Sequence, residues 1–386
     1  MSLISNLAGG FGNLLFGLCA FLFVLSIVVF VHEMGHFLVA RWCGVKVSAF
    51  SLGFGPEIYG FVDRRGTRWR FAWVPLGGYV KFMDDENGAS MPLRDKIAKM
   101  TPEERAGSFH SKPLWQKAAV VAAGPIANFI LAIAIFALFF MTVGTYTAPP
   151  RVDTVLAGSA AERGGFQSGD LIVSVNGRQI SAFQELQQKV NDHVGAEVRF
   201  GVNRGGTLIE LKATPMLAEV NDGLGGKAKV GQLGITRQNR PQDIEHKVFG
   251  PLSAVVMGAE KSYGIVRSTF AYLGNVILWR QPADQLGGPV RIADASKKIA
   301  ALGLDQLVHF MAFISVSVGL INLFPVPILD GGHLTFYAIE AIRGKPLNED
   351  TQEMAFRVGF GLIMALMLFA FWNDRFILWG WLPKMG

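Results

Sequence analysis

The first apolar run of this sequence is long enough to cross a lipid bilayer. Residues 11–31 carry no charged side chain, and about 20 apolar residues in a helix span the hydrocarbon core of a membrane. Three more runs of this kind follow, at residues 118–141, 307–329 and 358–372. Charged residues make up only 17% of the chain, against roughly 25% in soluble domains. The sequence therefore predicts an α-helical polytopic membrane protein with about four transmembrane helices.

The basic residues are distributed unevenly around these runs, which predicts the orientation of the chain. Residues 41–117 contain 13 Lys and Arg, whereas residues 1–31 contain none. Because loops rich in Lys and Arg stay in the cytoplasm, we place residues 41–117 there and the N-terminus outside. The lack of a basic region before the first run favours a retained span over a cleaved signal peptide. This asymmetry accounts for the net charge of +6, so no nucleic-acid partner is predicted.

The segment between the second and third runs is polar and has the pattern of a small α+β domain. Residues 171–175 alternate like a strand and end in Asn176-Gly177, a strong signal for a hairpin turn. A helix with one apolar face is predicted after them. This order resembles a PDZ domain of the bacterial protease type, over residues 145–240. With the orientation above, it is expected to be an inserted periplasmic PDZ (α+β) domain.

PDZ domains bind an extended peptide end along a sheet edge, and backbone N–H groups hold its carboxylate. The resemblance assigns this peptide-binding loop to Gln232-Leu233-Gly234-Ile235. The alternative stays open that Gly234 is only a turn glycine in a domain that stabilises the protein. Residues 241–305, which follow the domain, have the pattern of amphipathic helices. For these helices, ordinary packing is the simpler interpretation.

The chemistry is concentrated where the first apolar run ends, at His32-Glu33-Met34-Gly35-His36. Histidines at positions i and i+4 share one face of a helix, so both imidazoles can reach a single Zn²⁺. Glu33 is then next to the first ligand and is placed to accept a proton from water on the metal. Ionisable residues within an apolar span are costly and are functional by default. We therefore predict His32 and His36 as metal ligands and Glu33 as the catalytic base.

A zinc ion with two histidines and a water needs a third protein ligand, and depth in the membrane selects it. The first and third runs cross the bilayer in the same direction, so the ligand is expected near the cytoplasmic end of the third run, where Asp330 lies. His309 is 21 residues earlier, about 30 Å away along a helix. His333 remains an alternative, although we expect Gly331-Gly332 to break the helix before it. Asp330 is the predicted third ligand.

Three motifs together resemble the site-2 protease family of intramembrane zinc metalloproteases, in its RseP-like bacterial branch. They are His32-Glu33-x-x-His36, Asn322-x-x-Pro325-x-Pro327-x-x-Asp330-Gly331, and Gly124-Pro125-Ile126-Ala127-Asn128 in the second run. With the PDZ region, the resemblance extends over nearly the whole chain. The chain departs from some relatives in having one PDZ domain rather than two, which leaves the control of substrate access less defined than the chemistry.

The resemblance implies a zinc-dependent endopeptidase in the bacterial inner membrane that cuts transmembrane segments of single-span membrane proteins. The active site would lie near the cytoplasmic side of the bilayer. It further implies regulated intramembrane proteolysis, in which an upstream site-1 type protease first trims the substrate and the PDZ domain acts as a size filter. Anti-sigma factors and remnant signal peptides are typical substrates of the branch.

Two other functions are consistent with single features of the sequence. A non-catalytic PDZ membrane scaffold would lack Glu33 or one of the ligands, yet all four positions are filled. A proton or metal transporter would need further ionisable residues along a path through the membrane. The second and fourth runs offer none, so the protease interpretation is favoured.

Two asparagines are candidate substrate contacts. Asn322 and Asn128 would hydrogen-bond an unwound substrate backbone or the developing oxyanion. The alternative is that they tie membrane helices together, and for Asn128 the two interpretations are equally supported.

Residues 45–82 have the pattern of two strands, at residues 45–50 and 69–74, with glycine-containing turns at residues 53–56 and 75–79. In the family this region is a cytoplasmic-side β-structured loop that dips toward the active site, where a free strand edge would hold the substrate extended. A plain cytoplasmic hairpin is the competing interpretation. The predicted organisation is an N-terminal membrane half, the PDZ domain, the amphipathic helices and a C-terminal membrane half, at residues 1–144, 145–240, 241–305 and 306–386.

Overall fold

The computed structural model describes residues 2–84, 100–180, 182–221, 227–237, 245–279, 282–283 and 287–381. The chain divides into two compact units. The helical unit consists of Met1–Leu138 and Leu252–Gly386, and the inserted unit consists of Phe139–Pro251. The helical unit is therefore built from two separate parts of the chain.

The described helices, in chain order, are α1 (Ser2–Trp42), α2 (Pro102–Gly107), α3 (Leu114–Thr142), α4 (Ala160–Arg163), α5 (Phe183–Asp192), α6 (Pro251–Ile277), α7 (Pro289–Ala300), α8 (Leu304–Asn322), α9 (Asp330–Arg343) and α10 (Glu349–Trp381). The strands are β1 (Val47–Val62), β2 (Arg68–Phe82), β3 (Thr145–Thr147), β4 (Thr154–Val155), β5 (Leu171–Val175), β6 (Arg178–Gln179), β7 (Val198–Arg204), β8 (Thr207–Ala213), β9 (Met216–Asn221), β10 (Lys227–Gln232), β11 (Ile235–Thr236) and β12 (Glu245–Lys247).

Among the residues that the structure describes, four helices are long and apolar enough to cross a membrane, the number predicted from the sequence. The spanning segments belong to α1, α3, α8 and α10, and they are Leu15–Trp42, Leu114–Thr142, Leu304–Asn322 and Asp350–Asp374. At 33 residues, α10 is longer than the sequence run suggested. Large apolar side chains along it are exposed, among them Val358 (68%) and Leu368 (65%), as expected for a helix that faces lipid.

The predicted third run does not form one helix. α8 ends at Asn322, and a new helix, α9, begins at Asp330. Residues 323–329 connect them, and two prolines there lack the backbone N–H that would continue a helix. The expectation that Gly331-Gly332 breaks the helix is therefore wrong, because the break precedes Asp330 and both glycines lie in the first turn of α9. A Cβ on Gly332 would come within 2.3 Å of the carbonyl oxygen of Val326, so this turn packs too closely for a larger residue.

β1 and β2 form an antiparallel pair that is bent. β1 runs through the first predicted turn, at residues 53–56, and β2 runs through the second, at residues 75–79. The strands bend there without ending, so the prediction of two turns is wrong. Gly53 and Gly77 have φ values of +94° and +133°, which other residues rarely adopt. Because of the bend, Phe50 pairs in the strand register with two residues of β2, Val80 and Trp69. The Phe50 ring is buried against α1.

An ion pair ties the turn between β1 and β2 to the end of α1. Arg41 donates to the carboxylate of Asp63 and to Thr67 Oγ1 (2.9 Å), and Asp63 also accepts from Trp69 Nε1 (3.3 Å). Burial opposes the ionisation of Asp63, but hydrogen bonds, first from the Thr67 N–H and then from Arg41, lower its pKa to about 2. The carboxylate therefore stays charged at neutral pH and holds the strand pair on the helix that carries His36.

Within residues 241–305 the structure describes two helices of eight or more residues that lie wholly in this range, α6 and α7. α7 packs against α1, α8 and α10. At its N-terminus, the carboxylate of Asp374 in α10 accepts hydrogen bonds from the N–H groups of Gly288 (2.8 Å) and Arg291 (3.1 Å). A negative charge at this end of a helix is favourable because it complements the helix dipole. The contact fixes α7 to the end of α10.

The inserted unit has a core of its own. A four-stranded sheet with the order β6-β5-β7-β8 packs with α5 around buried side chains that include Ile172, Leu186 and Phe200. Asn176 and Gly177, with φ values of +48° and +76°, join β5 to the antiparallel strand β6. Positive φ at both positions is the conformation of a two-residue hairpin turn, so the turn predicted here is confirmed.

Candidate metal centre

Three side chains converge within the helical unit. His32 and His36 extend from α1, and Asp330 is the first residue of α9. His32 Nε2 lies 3.2 Å from His36 Nε2 and 3.1 Å from Asp330 Oδ2, and His36 Nε2 lies 3.5 Å from the same oxygen. Within the described ranges, these residues form a group that could hold one metal ion, since their donor atoms lie within 4.8 Å of one another.

The spacing and burial of this group fit a tetrahedral zinc ion. Zinc–ligand bonds of about 2.0–2.2 Å to nitrogen and oxygen place neighbouring ligand atoms about 3.3–3.6 Å apart, close to the distances between these three side chains. His32 is only 8% exposed, and Asp330 Oδ2 is buried and faces the two imidazole nitrogens. A buried carboxylate oxygen is costly unless it is paired or bound to a metal. The donor set therefore fits zinc.

Helix α3 supports the two histidines through one of its faces. His36 Nδ1 lies 2.8 Å from the carbonyl oxygen of Val120. Because a carbonyl only accepts, Nδ1 carries the proton and Nε2 keeps its lone pair for a metal. One turn along α3, a Cβ on Gly124 would come within 2.2 Å of His36 Nε2 and 2.8 Å of His32 Nε2. The absence of a side chain at Gly124 therefore leaves the space in which the two imidazole nitrogens meet.

Other glycines allow the helices around this site to approach closely. A Cβ on Gly35 of α1 would come within 2.3 Å of the carbonyl oxygen of Ala123 in α3. A Cβ on Gly319 of α8 would lie 3.1 Å from the carbonyl oxygen of Pro125, also in α3. Small residues at helix contacts permit this backbone approach in membrane proteins. α3 is thus held between the helix of the two histidines and the helix that leads to Asp330.

A cavity of about 650 Å³ opens onto the three-residue group. Its wall includes Glu33, which follows the first histidine on α1, and residues 78–80 of β2. β2 lies directly against Glu33, since a Cβ on Gly78 would come within 2.9 Å of Glu33 Cγ. The cavity is completed by residues of α9 and α10, among them His333, Tyr337, Phe356 and Arg357. Its volume is in the range of sites that enclose a small ligand.

The two asparagines occupy different places. Asn322 lies in the wall of this cavity. Asn128 is completely buried (0% exposed), and its side-chain nitrogen lies 3.1 Å from His32 Nδ1. His333, the alternative metal ligand, lines the cavity but does not belong to the group of converging donors. It lies one helical turn beyond Asp330, within α9.

The predicted peptide-binding loop lies in the inserted unit, beside a second cavity of about 890 Å³. Gln232, Leu233 and Ile235 line this cavity together with α5. Gly234 has a φ of +86°, and a Cβ there would come within 2.1 Å of Ser159 Cβ. The glycine is therefore required by the turn and by its packing, whatever the cavity binds.

Several residues that shape the metal centre carry little chemical signal in the sequence. Val120 acts through its backbone carbonyl, and Gly78 and Gly124 act through the absence of a side chain. For Gly124, its place in the Gly-Pro-x-x-Asn motif was the available signal, because a motif glycine often marks a close approach. Neither Val120 nor Gly78 has a comparable marker.

Comparison with known proteins agrees with this geometry. The profile of peptidase family M50 matches residues 20–366. A Rhizobium meliloti protein named as a zinc metalloprotease is 47% identical over 94% of this chain and 97% of its own length. Metalloprotease MmpA of Caulobacter vibrioides is 40% identical, over 92% of this chain and 94% of its own length. Protease RseP of Yersinia pestis is 31% identical, over 94% and 99%.

Among solved structures, the PDZ domain of the SdrC-like protein from Listeria innocua is similar to part of the chain. The two are 20% identical with a TM-score of 0.20, and the match covers 26% of this chain and 99% of that domain. The family match and the relatives extend across both parts of the helical unit, including all three converging side chains. The chain therefore belongs to peptidase family M50, the site-2 protease family, and is a zinc metalloprotease.

Proposed function

We propose that this metalloprotease cuts peptide bonds inside the membrane, within the transmembrane segments of single-span proteins. The observation that carries the proposal is the position of the chemistry. His32, Glu33 and His36 belong to a segment, Leu15–Trp42, that is long and apolar enough to span a bilayer. Charged and metal-binding side chains are retained in such a segment only where they serve a function. Membrane-protein substrates are also what the site-2 protease family implies.

The proposed roles follow from the arrangement of the side chains. His32, His36 and Asp330 would hold zinc, which when bound supplies Lewis-acid chemistry by polarising a carbonyl and acidifying a water. Glu33 would accept a proton from the attacking water while the water oxygen bonds to the scissile carbonyl carbon. As the C–N bond breaks, Glu33 would return that proton to the leaving amine. The closeness of Glu33 to the first histidine on α1 supports this role.

Two features of the cavity support the binding of an extended substrate. Residues 78–80 of β2 lie in the wall beside Glu33, where a strand could pair with a substrate backbone that has left its helical conformation. Asn322 lies in the same wall, and its amide would donate to a substrate carbonyl. A transmembrane helix satisfies its backbone hydrogen bonds internally, so it must unwind before hydrolysis. The strand and the amide would replace the hydrogen bonds that are lost.

The sidedness of the protein is inferred from charge. The basic segment 41–117 favours a cytoplasmic location, which would put the inserted unit in the periplasm of a bacterial inner membrane and the metal site near the cytoplasmic side. The inserted unit would then contain a periplasmic PDZ domain, at residues 145–240, that limits access by substrate size. The substrates would be anti-sigma factors or signal-peptide remnants that a site-1 type protease has already trimmed.

A paired cleavage assay tests this function. The zinc-loaded full chain is reconstituted in liposomes with a single-span protein in two forms, one with its outer domain intact and one with that domain removed. We expect cleavage of the truncated form only, at a bond that mass spectrometry places inside the transmembrane segment. Cleavage outside that segment would contradict the intramembrane assignment, and equal cleavage of both forms would contradict the size filter.

The groove of the inserted unit gives a separate prediction. Gln187 is exposed on α5 and lines the second cavity, so Gln187→Trp would fill this groove without disturbing the core. If the groove binds a carboxyl terminus, a fluorescein-labelled peptide with a free C-terminus binds the parent at least about tenfold more tightly than the variant, a loss of ~1.4 kcal/mol. Fluorescence anisotropy measures the binding.

The control substitution is Glu185→Trp, on the same helix but outside the cavity wall, and it should bind as the parent does. The C-terminal amide of the same peptide should bind weakly to all three proteins. If the free peptide and its amide bind the parent equally, the groove does not recognise a carboxylate, and the inserted unit acts by obstruction alone.

A further inference from the structure

The side chain of Asn128 has an unsatisfied oxygen next to a metal-site histidine. Asn128 is completely buried, and its Nδ2 lies 3.1 Å from His32 Nδ1. Its Oδ1 is also buried and has no hydrogen-bond partner among the residues that the structure describes. Native proteins rarely leave a buried amide oxygen unpaired, so a hydrogen-bond donor for this oxygen is expected.

The chemistry of a metal-bound imidazole supplies such a donor. His32 Nε2 faces His36 Nε2 and Asp330 Oδ2, so it is the nitrogen that would bind zinc. Nδ1 must then carry the proton and act as a donor. An amide nitrogen is also a donor, and two donors facing each other form no hydrogen bond. A half-turn of the Asn128 amide exchanges Oδ1 and Nδ2, which are nearly equal in size. The exchange gives both His32 Nδ1–H and Asn128 Oδ1 a partner.

The second histidine already has such a partner from the same helix. His36 Nδ1 donates to the carbonyl oxygen of Val120 (2.8 Å). Val120, Gly124 and Asn128 are four residues apart along α3 and therefore share one face of it. Successive turns of α3 thus provide an acceptor for His36, space for the two Nε2 atoms and an acceptor for His32.

The backbone of Asn128 has a separate structural role. Its carbonyl oxygen accepts a hydrogen bond from Ser315 Oγ of α8 (2.8 Å), which ties α3 to α8. This contact involves neither the amide of Asn128 nor a histidine. The tie between helices and the contact with His32 can therefore be tested independently.

We propose that Asn128 is a positioning residue that accepts a hydrogen bond from His32 Nδ1–H through Oδ1 and so fixes the ring with Nε2 toward the metal. The proposal rests on the proposed metal site and replaces the prediction that Asn128 contacts substrate. Partners of this kind set the tautomer and orientation of a ligand, and their loss weakens metal binding about 10- to 100-fold.

The proposal is tested by measuring the zinc affinity of three variants of the full chain in detergent. Competition against a chelator gives the affinity. Asn128→Leu removes the acceptor at similar volume and is expected to bind zinc about 10- to 100-fold more weakly than the parent. Asn128→Asp keeps an acceptor and is expected to bind at least as tightly as the parent, since carboxylates commonly hold metal-bound histidines. Ser315→Ala cuts only the tie between helices and should leave the zinc affinity unchanged.

The tautomer itself is read from ¹⁵N-histidine NMR spectra, in which the seven histidines of the chain are separated by substitution. The parent and Asn128→Asp are expected to show His32 protonated at Nδ1, and Asn128→Leu a mixture of tautomers. The proposal is overturned if Asn128→Leu keeps the parent's affinity, or if Asn128→Asp loses zinc to the same extent as Asn128→Leu, which would indicate packing alone. A parent that binds no zinc would overturn the metal site itself, a different result from parent-like binding by the leucine variant.

Discussion

Gly124→Ala is expected to weaken zinc binding severely while the protein remains folded. The added methyl carbon would lie 2.2 Å from His36 Nε2 and 2.8 Å from His32 Nε2, much closer than non-bonded atoms approach. His36 cannot easily turn away, since its Nδ1 is held by the Val120 carbonyl. We expect zinc affinity to fall at least about 100-fold, the upper end of what loss of a ligand-orienting contact costs. Metal analysis of the purified protein gives the zinc content per chain.

The matched control is Gly264→Ala. Gly264 lies within α6, and a Cβ there would meet nothing within 4 Å, so this variant makes the same chemical change away from the site. It should keep the zinc content of the parent, and size-exclusion profiles of all three proteins should agree. Zinc bound by Gly124→Ala with the parent's affinity would mean that the imidazole nitrogens do not meet where the structure places them.

Glu33→Gln is expected to keep the zinc and lose the cleavage. Glutamine has the shape of glutamate, and Glu33 is not among the converging metal donors, so the metal site should persist. The amide cannot accept a proton from water, and general-base catalysis of this kind contributes about 10²- to 10⁴-fold to the rate. The turnover of a truncated single-span substrate, followed by gel densitometry, should fall by that factor.

Zinc content and substrate binding decide how this result is interpreted. Equal zinc in the parent and in Glu33→Gln, with an unchanged KM and a reduced kcat, assigns Glu33 to the chemical step. Cleavage by the variant within a few-fold of the parent, in a preparation free of other proteases, would remove Glu33 from the mechanism.

The three converging side chains were predictable because the chemistry of a zinc site restricts the choice of residues. Two histidines one helical turn apart within an apolar run are costly to keep in a membrane unless they serve a function. Asp330 could be selected from depth in the membrane, although it was expected to end a spanning helix. In the structure it begins α9 instead. The structure brings Asp330 to the two histidines, but its local conformation was not predicted, since prolines indicate that a helix stops and not where the next one starts.

The parts that could not be predicted depend on contacts between elements distant in sequence. The approach of α3 to α1 brings Gly124 to the two imidazoles, and it depends on helix packing that single-sequence patterns do not report. The same is true of β2, whose glycines were predicted to form a turn but instead let the strand bend toward Glu33. A positive φ suits a turn and a bend within a strand equally well, so composition alone did not separate them.

X-ray absorption fine structure at the zinc edge of the purified, zinc-loaded full chain tests the central assignment most directly. We expect two imidazole nitrogens and the remaining ligands as oxygen, at about 2.0–2.2 Å, from His32, His36, Asp330 and solvent. A third imidazole would instead identify His333 as a ligand, and sulfur at about 2.3 Å would indicate a cysteine site. Either result would contradict the metal centre described for this protein.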